Sequence, residues 1–200
     1  MSQSGPAPTL TAVRRSRPGG VALEVDGRPW RIVPDDVVAR CGLAAGLELH
    51  RPLLRMLRRE LRRAEAFDTA VRTVSRRDIS TRRLRERMDA RGVKAPEAEA
   101  VVEALSSAGI VDDARLARTR ARTLAERGWG DAAVAARLEQ EGLPLDVVGA
   151  VLAELPPEVE RAAGLVAATA DSRAAWRLLM RRGFATEAIE DVLGSLDEPR

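Results

Sequence analysis

Two adjacent carboxylates, Asp112 and Asp113, stand in the stretch GIVDDARLARTRARTLAERGWG at 109–130. A carboxylate pair can move protons in catalysis or hold a divalent cation. A metal site needs further ligands. The chain has one histidine (His50), one cysteine (Cys41) and no nearby glutamate at a recognised ligand spacing. The residues behind the pair point elsewhere: Leu116, Ala117, Ala121, Leu124 and Ala125 recur at helical spacing, with Arg115, Arg118, Arg120, Arg122 and Arg127 between them. An aspartate just before such a run accepts hydrogen bonds from the unpaired N–H groups of the first turn, a role worth about 1 kcal/mol. Asp112 and Asp113 are therefore read as helix-starting residues, with no catalytic and no metal-binding residue in the chain.

The remaining candidates give the same reading. His50 precedes Pro52 and a leucine-rich helix with no acid or nucleophile beside it, so it is assigned a terminal or capping role. Cys41 reads as a small buried apolar residue. GLAAGLEL at 42–49 lacks the Gly-Lys-Ser/Thr ending that holds nucleotide and magnesium. No cofactor is expected.

Binding is the better-supported chemistry. Residues 1–94 carry 21 Arg plus Lys against 11 Asp plus Glu, a net of +10, whereas residues 95–200 carry 12 against 19, a net of −7. Of the 33 basic residues 32 are arginine, whose planar guanidinium takes phosphate in a bidentate way. Two clusters stand out. Arg76 and Arg77 lie at a helix end ahead of Ser80, and Arg82, Arg83, Arg85 and Arg87 follow on the next helix, where Arg82, Arg83 and Arg87 share much of an outward face. Such a face contacts a polyanion or is simply a solvated helix partly neutralised by Glu86 and Asp89. Arg118, Arg122 and Arg127 form the second cluster, opposite Leu116, Ala117 and Leu124.

The elements that must position these residues are mostly helices. Three Trp, two Phe and no Tyr leave Leu, Val and Ala as the apolar material, which suits closely packed helices and argues against a β-sandwich. The single cysteine excludes an intramolecular disulfide framework and makes the cytoplasm the default compartment. No run has the length and apolarity to span a bilayer, and the N-terminus lacks the apolar core of a signal peptide. Residues 1–20 read as a flexible tail. VALEVDGRPWRIV at 21–33 reads as a β-hairpin about Asp26-Gly27, anchored by Trp30. A basic helix striped by Leu53, Leu54, Leu57 and Leu61 completes residues 21–63.

From residue 64 onward a repeat emerges. Gly92, Gly142 and Gly183 serve as origins. Eight and four residues before them stand Leu84 and Met88, Val134 and Leu138, Ala175 and Leu179; one after them stand Val93, Leu143 and Phe184. Positions 6, 9, 10 and 13 onward are apolar in all three copies, ending at Leu105, Leu155 and Leu196. Each copy reads as helix, left-handed glycine, helix. A further helix precedes each pair, the first carrying Phe67, Ala70, Val71 and Val74. The expected fold is all-α: tandem three-helix modules at 64–108, 109–156 and 157–200 in an elongated, curved array, with the hairpin as a short N-terminal extension.

GIVDDARLA at 109–117 resembles the Gly, variable, aliphatic, Asp, Asp, two variable, aromatic, Ala pattern of the RecX regulatory proteins, modulators of the RecA recombinase. The likeness continues through the arginines to Gly130, Leu138 and Gly142-Leu143, and RRDISTRRL at 76–84 is similar to a second family motif. Three residues depart from the pattern: Leu116 stands where an aromatic is usual, Ile79 where arginine is frequent, and Arg83 where Glu would complete a capping box with Ser80. The resemblance implies a non-catalytic monomer lying in the groove of a RecA filament on single- or double-stranded DNA. There it would restrain filament growth, strand exchange, ATP hydrolysis and co-protease action, and so act in homologous recombination, DNA repair and the SOS response. It also places Arg118, Arg122 and Arg127 in the family's basic helix.

Three functions compete on the sequence: a RecA-filament regulator, a general nucleic-acid-binding protein acting without RecA, and an enzyme resting on Asp112-Asp113 alone. Charge reversal of Arg118 with Arg122 is expected to harm filament binding more than reversal of Arg161 with Arg173.

Overall fold

The computed structural model describes residues 7–167 and 171–197. Among them are three strands, β1 (Leu10–Arg17), β2 (Gly20–Val25) and β3 (Arg28–Pro34), followed by ten helices. These are α1 (Asp35–Cys41), α2 (Arg51–Val74), α3 (Thr81–Asp89), α4 (Ala95–Ser107), α5 (Asp113–Glu126), α6 (Asp131–Gln140), α7 (Leu145–Ala153), α8 (Glu158–Val166), α9 (Ser172–Arg182) and α10 (Thr186–Asp197). The chain divides into two compact units, residues 1–73 with 88–101 and residues 74–87 with 102–200. Residues 64–108, read from the sequence as one module, are thus shared between the two.

In the first unit the expected hairpin makes two strands of a three-stranded antiparallel sheet in the order β1-β2-β3. The extra strand, β1, lies in the stretch read as a flexible tail, and residues 1–6 of that stretch lie outside the described residues. Its arginines and flanking prolines and glycines give it the composition of a tail, but pairing on the second edge of β2 satisfies its backbone and buries Leu10 and Ala12. Two bonds to the Asp26-Gly27 turn fasten it further: the Thr9 N–H donates to Asp26 Oδ1 at 2.9 Å, and the Gly27 N–H to Thr11 Oγ1 at 2.9 Å. Both turn residues have positive φ, 50° and 78°, as a tight hairpin turn requires.

Leu10, Leu23, Val33, Val37, Leu53, Leu57 and Leu61 form the core that seats this sheet on α1 and α2. The His50 ring accepts the Leu53 N–H through Nδ1 at 3.1 Å and so caps the start of α2. α2 runs 24 residues without a break, straight through the boundary drawn at 63–64. Its C-terminal half corrects a second expectation, because Ala66, Ala70 and Thr73 are buried while Phe67 and Val71 face out. A helix has one inward line, and here the leucines of the first turns set it. Trp30 likewise is 40% exposed and does not anchor the sheet.

Two helical cores can be described in the second unit. Leu116, Ala117, Ala121, Val134, Leu138, Leu143, Val148 and Val151 make one; Ala162, Val166, Ala175, Leu179, Phe184, Ile189 and Val192 make the other. The three glycine corners all have the local geometry their sequence calls for. φ is +77° at Gly92, +86° at Gly142 and +76° at Gly183. In each, the next residue's N–H folds back to the carbonyl five residues earlier: Val93 to Met88 at 3.1 Å, Leu143 to Leu138 at 3.1 Å, and Phe184 to Leu179 at 3.2 Å. Leu196, the last position of the third copy, has a side chain outside the described residues.

Candidate functional site

The adjacent aspartates act on different helices. Asp112 Oδ1 accepts the Arg115 N–H at 2.9 Å and caps its own helix, α5. Asp113 turns away and receives both the backbone N–H of Thr81, at 2.9 Å, and its hydroxyl, at 2.8 Å. It therefore closes the N-terminus of α3, 32 residues earlier in the chain. Both carboxylates are held by donors of the fold.

Ser80 joins the same junction. Its Oγ accepts the Arg83 N–H at 3.2 Å and donates to the Glu141 carbonyl at 2.6 Å, with the residue 1% exposed. Arg82 donates to the Glu139 carbonyl at 3.0 Å, and Arg83 to that of Gln140 at 2.5 Å. Three successive carbonyls at the C-terminal end of α6 are thus satisfied by residues of the first turn of α3. Opposite helix dipoles meet there, and two guanidiniums lie at the negative end of α6. This accounts for Arg83 in place of the capping-box glutamate: its side chain serves the facing helix end. Gly142 permits the approach, since a Cβ there would come within 2.8 Å of Arg82 Nε and 2.9 Å of Ser80 Oγ.

A second junction of the same kind lies between α6 and α9. The Gly130 N–H donates to the Arg182 carbonyl at 2.9 Å and the Ala132 N–H to the Gly183 carbonyl at 3.2 Å, so the start of α6 sits on the end of α9. Any Cβ on Gly130 would collide with the Gly183 carbonyl. Glu158 accepts the Asp131 N–H at 2.7 Å and the Ala185 N–H at 3.2 Å. Arg161, with a side chain only 9% exposed, pairs with Asp131 and donates to the Trp129 and Pro156 carbonyls at 2.9 Å each. The half-buried Trp129 packs against the core of Leu116, Ala121, Val134 and Leu138 and has the Arg137 and Arg182 guanidiniums 3.6 and 4.9 Å from its ring centroid. Arg137, Arg182 and Glu158 were not singled out from the sequence, and Arg161 was taken there only as a surface comparison; the partners that matter at this junction are far along the chain, and no local pattern marks them.

The candidate arginines fall into distinct settings. Arg118 and Arg122 are exposed, one turn apart on α5, and line a groove of about 430 Å³. Its apolar wall is Val151, Leu155 and Pro156, and Glu154 lies 3.9 Å from Arg118. Arg127 does not join them. Nine residues are two and a half helical turns, which puts it on the far side of α5, beside a cavity of about 290 Å³ that Arg120 and Arg137 also line. Arg76 and Arg77 are exposed in the turn between α2 and α3. Arg82 and Arg83 are about half exposed and tied to α6 and Glu86, while Arg87 is half-buried. The predicted row 82, 83, 87 is therefore chiefly a structural junction. Ile79 and Leu116, the other two departures from the family pattern, are buried and border one small cavity of about 110 Å³.

No protein-family model matches the chain. Curated relatives do, among them regulatory protein RecX of Halorhodospira halophila, 32% identical over 142 residues that span 66% of this chain and 88% of the relative, and regulatory protein RecX of Xanthomonas campestris pv. campestris strain B100, 34% identical over 124 residues spanning 57% and 76%. A crystal structure of a regulatory protein RecX superposes with a TM-score of 0.77 over 92% of this chain and 98% of its own, at 18% identity, which speaks for the fold. Sequence likeness over nearly the whole length of a curated relative, joined to this agreement in fold, establishes that the chain belongs to the RecX family of regulatory proteins.

Proposed function

We propose that this protein binds the RecA–DNA filament and inhibits its recombinase, ATPase and co-protease activities, acting as a monomeric cytoplasmic regulator without catalysis or cofactor. The observation that carries the reading is the pair Arg118 and Arg122, exposed on the basic helix of a RecX chain and backed by the apolar wall of Val151, Leu155 and Pro156. An apolar wall under two cations fits a protein surface bearing carboxylates or phosphates. Arg76, Arg77 and Arg127 supply further exposed cations. Arg82, Arg83 and Arg87 come second to them, because Arg82 and Arg83 already hold the end of α6. No described helix is long and apolar enough to cross a membrane.

The test is a titration of RecA ATPase on single-stranded DNA. Inhibition below one protein per RecA supports the proposal; full ATPase at excess protein sinks it.

The net charge of +10 on residues 1–94 favours a second reading, a general nucleic-acid-binding protein that needs no RecA. It predicts equal DNA affinity with and without RecA.

A further inference from the structure

The β3 edge of the N-terminal sheet carries an arrangement that packing does not explain. β3 is an edge strand, paired on one side with β2. Along it Leu23 faces Arg31 and Glu24 faces Pro29, so that one step on β2 matches two on β3 and Trp30 is the extra residue of a β-bulge. Bulges re-aim side chains and gather beside functional sites. This one leaves the Trp30 ring 40% exposed, with the Arg31 guanidinium 5.8 Å from its centroid. Arg28, Pro29, Arg31 and Ile32 beside it are exposed as well. The cross-strand row Arg14, Ala22, Ile32 lies on the opposite face from the Leu23–Arg31 pair, with Ile32 47% exposed at its β3 end. Residues 10–34 hold five arginines against Glu24 and Asp26. Of these two acids, Glu24 lies 3.8 Å from Arg14, and Asp26 already accepts the Thr9 N–H.

A buried tryptophan would have stabilised so small a sheet, and here the bulge turns it outward among cations. Flat aromatic surface flanked by guanidiniums matches an unpaired base followed by its phosphates. A duplex keeps its bases stacked and offers the ring no partner, and an apolar protein partner would leave the arginines unpaired. We infer that the β3 edge is a binding site for single-stranded nucleic acid, with Trp30 stacking on a base and Arg28 and Arg31 holding the backbone. The site lies in a different unit from the α5 groove and does not depend on RecA.

The experiment uses the full chain, a fluorescently labelled oligothymidylate at low salt, and no RecA. Anisotropy gives affinity, and intrinsic tryptophan fluorescence reports the stack. Trp30→Ala is expected to weaken binding roughly five-fold or more, the effect of one lost base stack, while Trp30→Phe retains most of the affinity but loses the quenching seen in the unaltered chain. Arg28→Ala with Arg31→Ala is expected to weaken binding and flatten the salt slope by roughly 0.7 for each phosphate no longer neutralised. Circular dichroism and melting unchanged by Trp30→Ala would exclude misfolding. The inference is overturned if the chain does not bind the oligonucleotide, if Trp30→Ala binds as tightly as the unaltered chain, or if Trp30→Ala affects only retention on immobilised RecA, which would make the face a protein contact. Because RecA is absent from the binding assay, its result is separate from that of the ATPase titration.

Discussion

Replacing Asp113 with alanine probes the junction that the adjacent aspartates build. The substitution removes the acceptor for two donors of Thr81, the backbone N–H at 2.9 Å and the hydroxyl at 2.8 Å. Losing an N-terminal helix acceptor costs about 1 kcal/mol. A second bond to a charged acceptor in a half-buried site adds about 1 kcal/mol more, so the total is about 2 kcal/mol. Asp112→Ala removes only the bond from the Arg115 N–H and should cost about 1 kcal/mol. Urea unfolding of the two variants, each crossed with Thr81→Val, separates the roles. Asp113→Ala and Thr81→Val should couple by about 1 kcal/mol, whereas Asp112→Ala and Thr81→Val should add within about 0.5 kcal/mol. Equal costs for the two aspartates, with no coupling between Asp113 and Thr81, would refute the assignment of Asp113 to α3.

Other parts of the structure give shorter tests. Glu97 receives Arg62 Nε at 2.9 Å, and that hydrogen bond holds its carboxyl below the usual glutamate range. A depressed folded-state pKa means the pairing stabilises fully above the unfolded value and fades as pH falls through the folded one. The stability gap between the unaltered chain and Glu97→Gln should therefore be present at neutral pH and close in acid, from roughly pH 5 downward. Burial, then the nearby Glu60 carboxylate, pushes the Cys41 thiol up, so alkylation by iodoacetamide near neutral pH should be negligible until the chain is unfolded. Arg161→Ala, which takes the donor from a part-exposed Asp131 and two carbonyls, should lower urea stability by about 2 kcal/mol, more than Arg173→Ala at the surface. Arg161→Glu is for that reason a folding probe and no control for surface charge, contrary to the expectation from sequence.

What the sequence made legible was local. Gly92, Gly142 and Gly183 could be recognised as helix ends because the left-handed conformation is a property of one residue and its next apolar neighbour. The buried positions four and eight residues before them follow from helical period alone. Strand β1 was hidden because its composition is that of a tail; only the free edge of β2, invisible in one dimension, makes it a strand. Among the site residues, Asp112 could be placed by its position before α5, but Asp113 could not, since its partner Thr81 is set by tertiary structure. One signal was present and unused: an arginine at 83, where a helix start prefers an acid, marks a cation with business elsewhere, and the C-terminal carbonyls of α6 supply it. The row Arg118, Arg122, Arg127 divided for a simple geometric reason, as nine residues carry the chain to the opposite side of a helix.

The central claim is that a RecX chain grips its partner through exposed arginines on α5, with no chemistry of its own. The most direct measurement is the ATPase of RecA on single-stranded DNA, titrated with the unaltered chain and with Arg118→Glu plus Arg122→Glu after both are shown to melt alike. The account predicts inhibition below one protein per RecA by the first and at least a ten-fold higher midpoint for the second, about 1.4 kcal/mol of lost binding. Identical titration curves for the two proteins, or no inhibition by either, would contradict it.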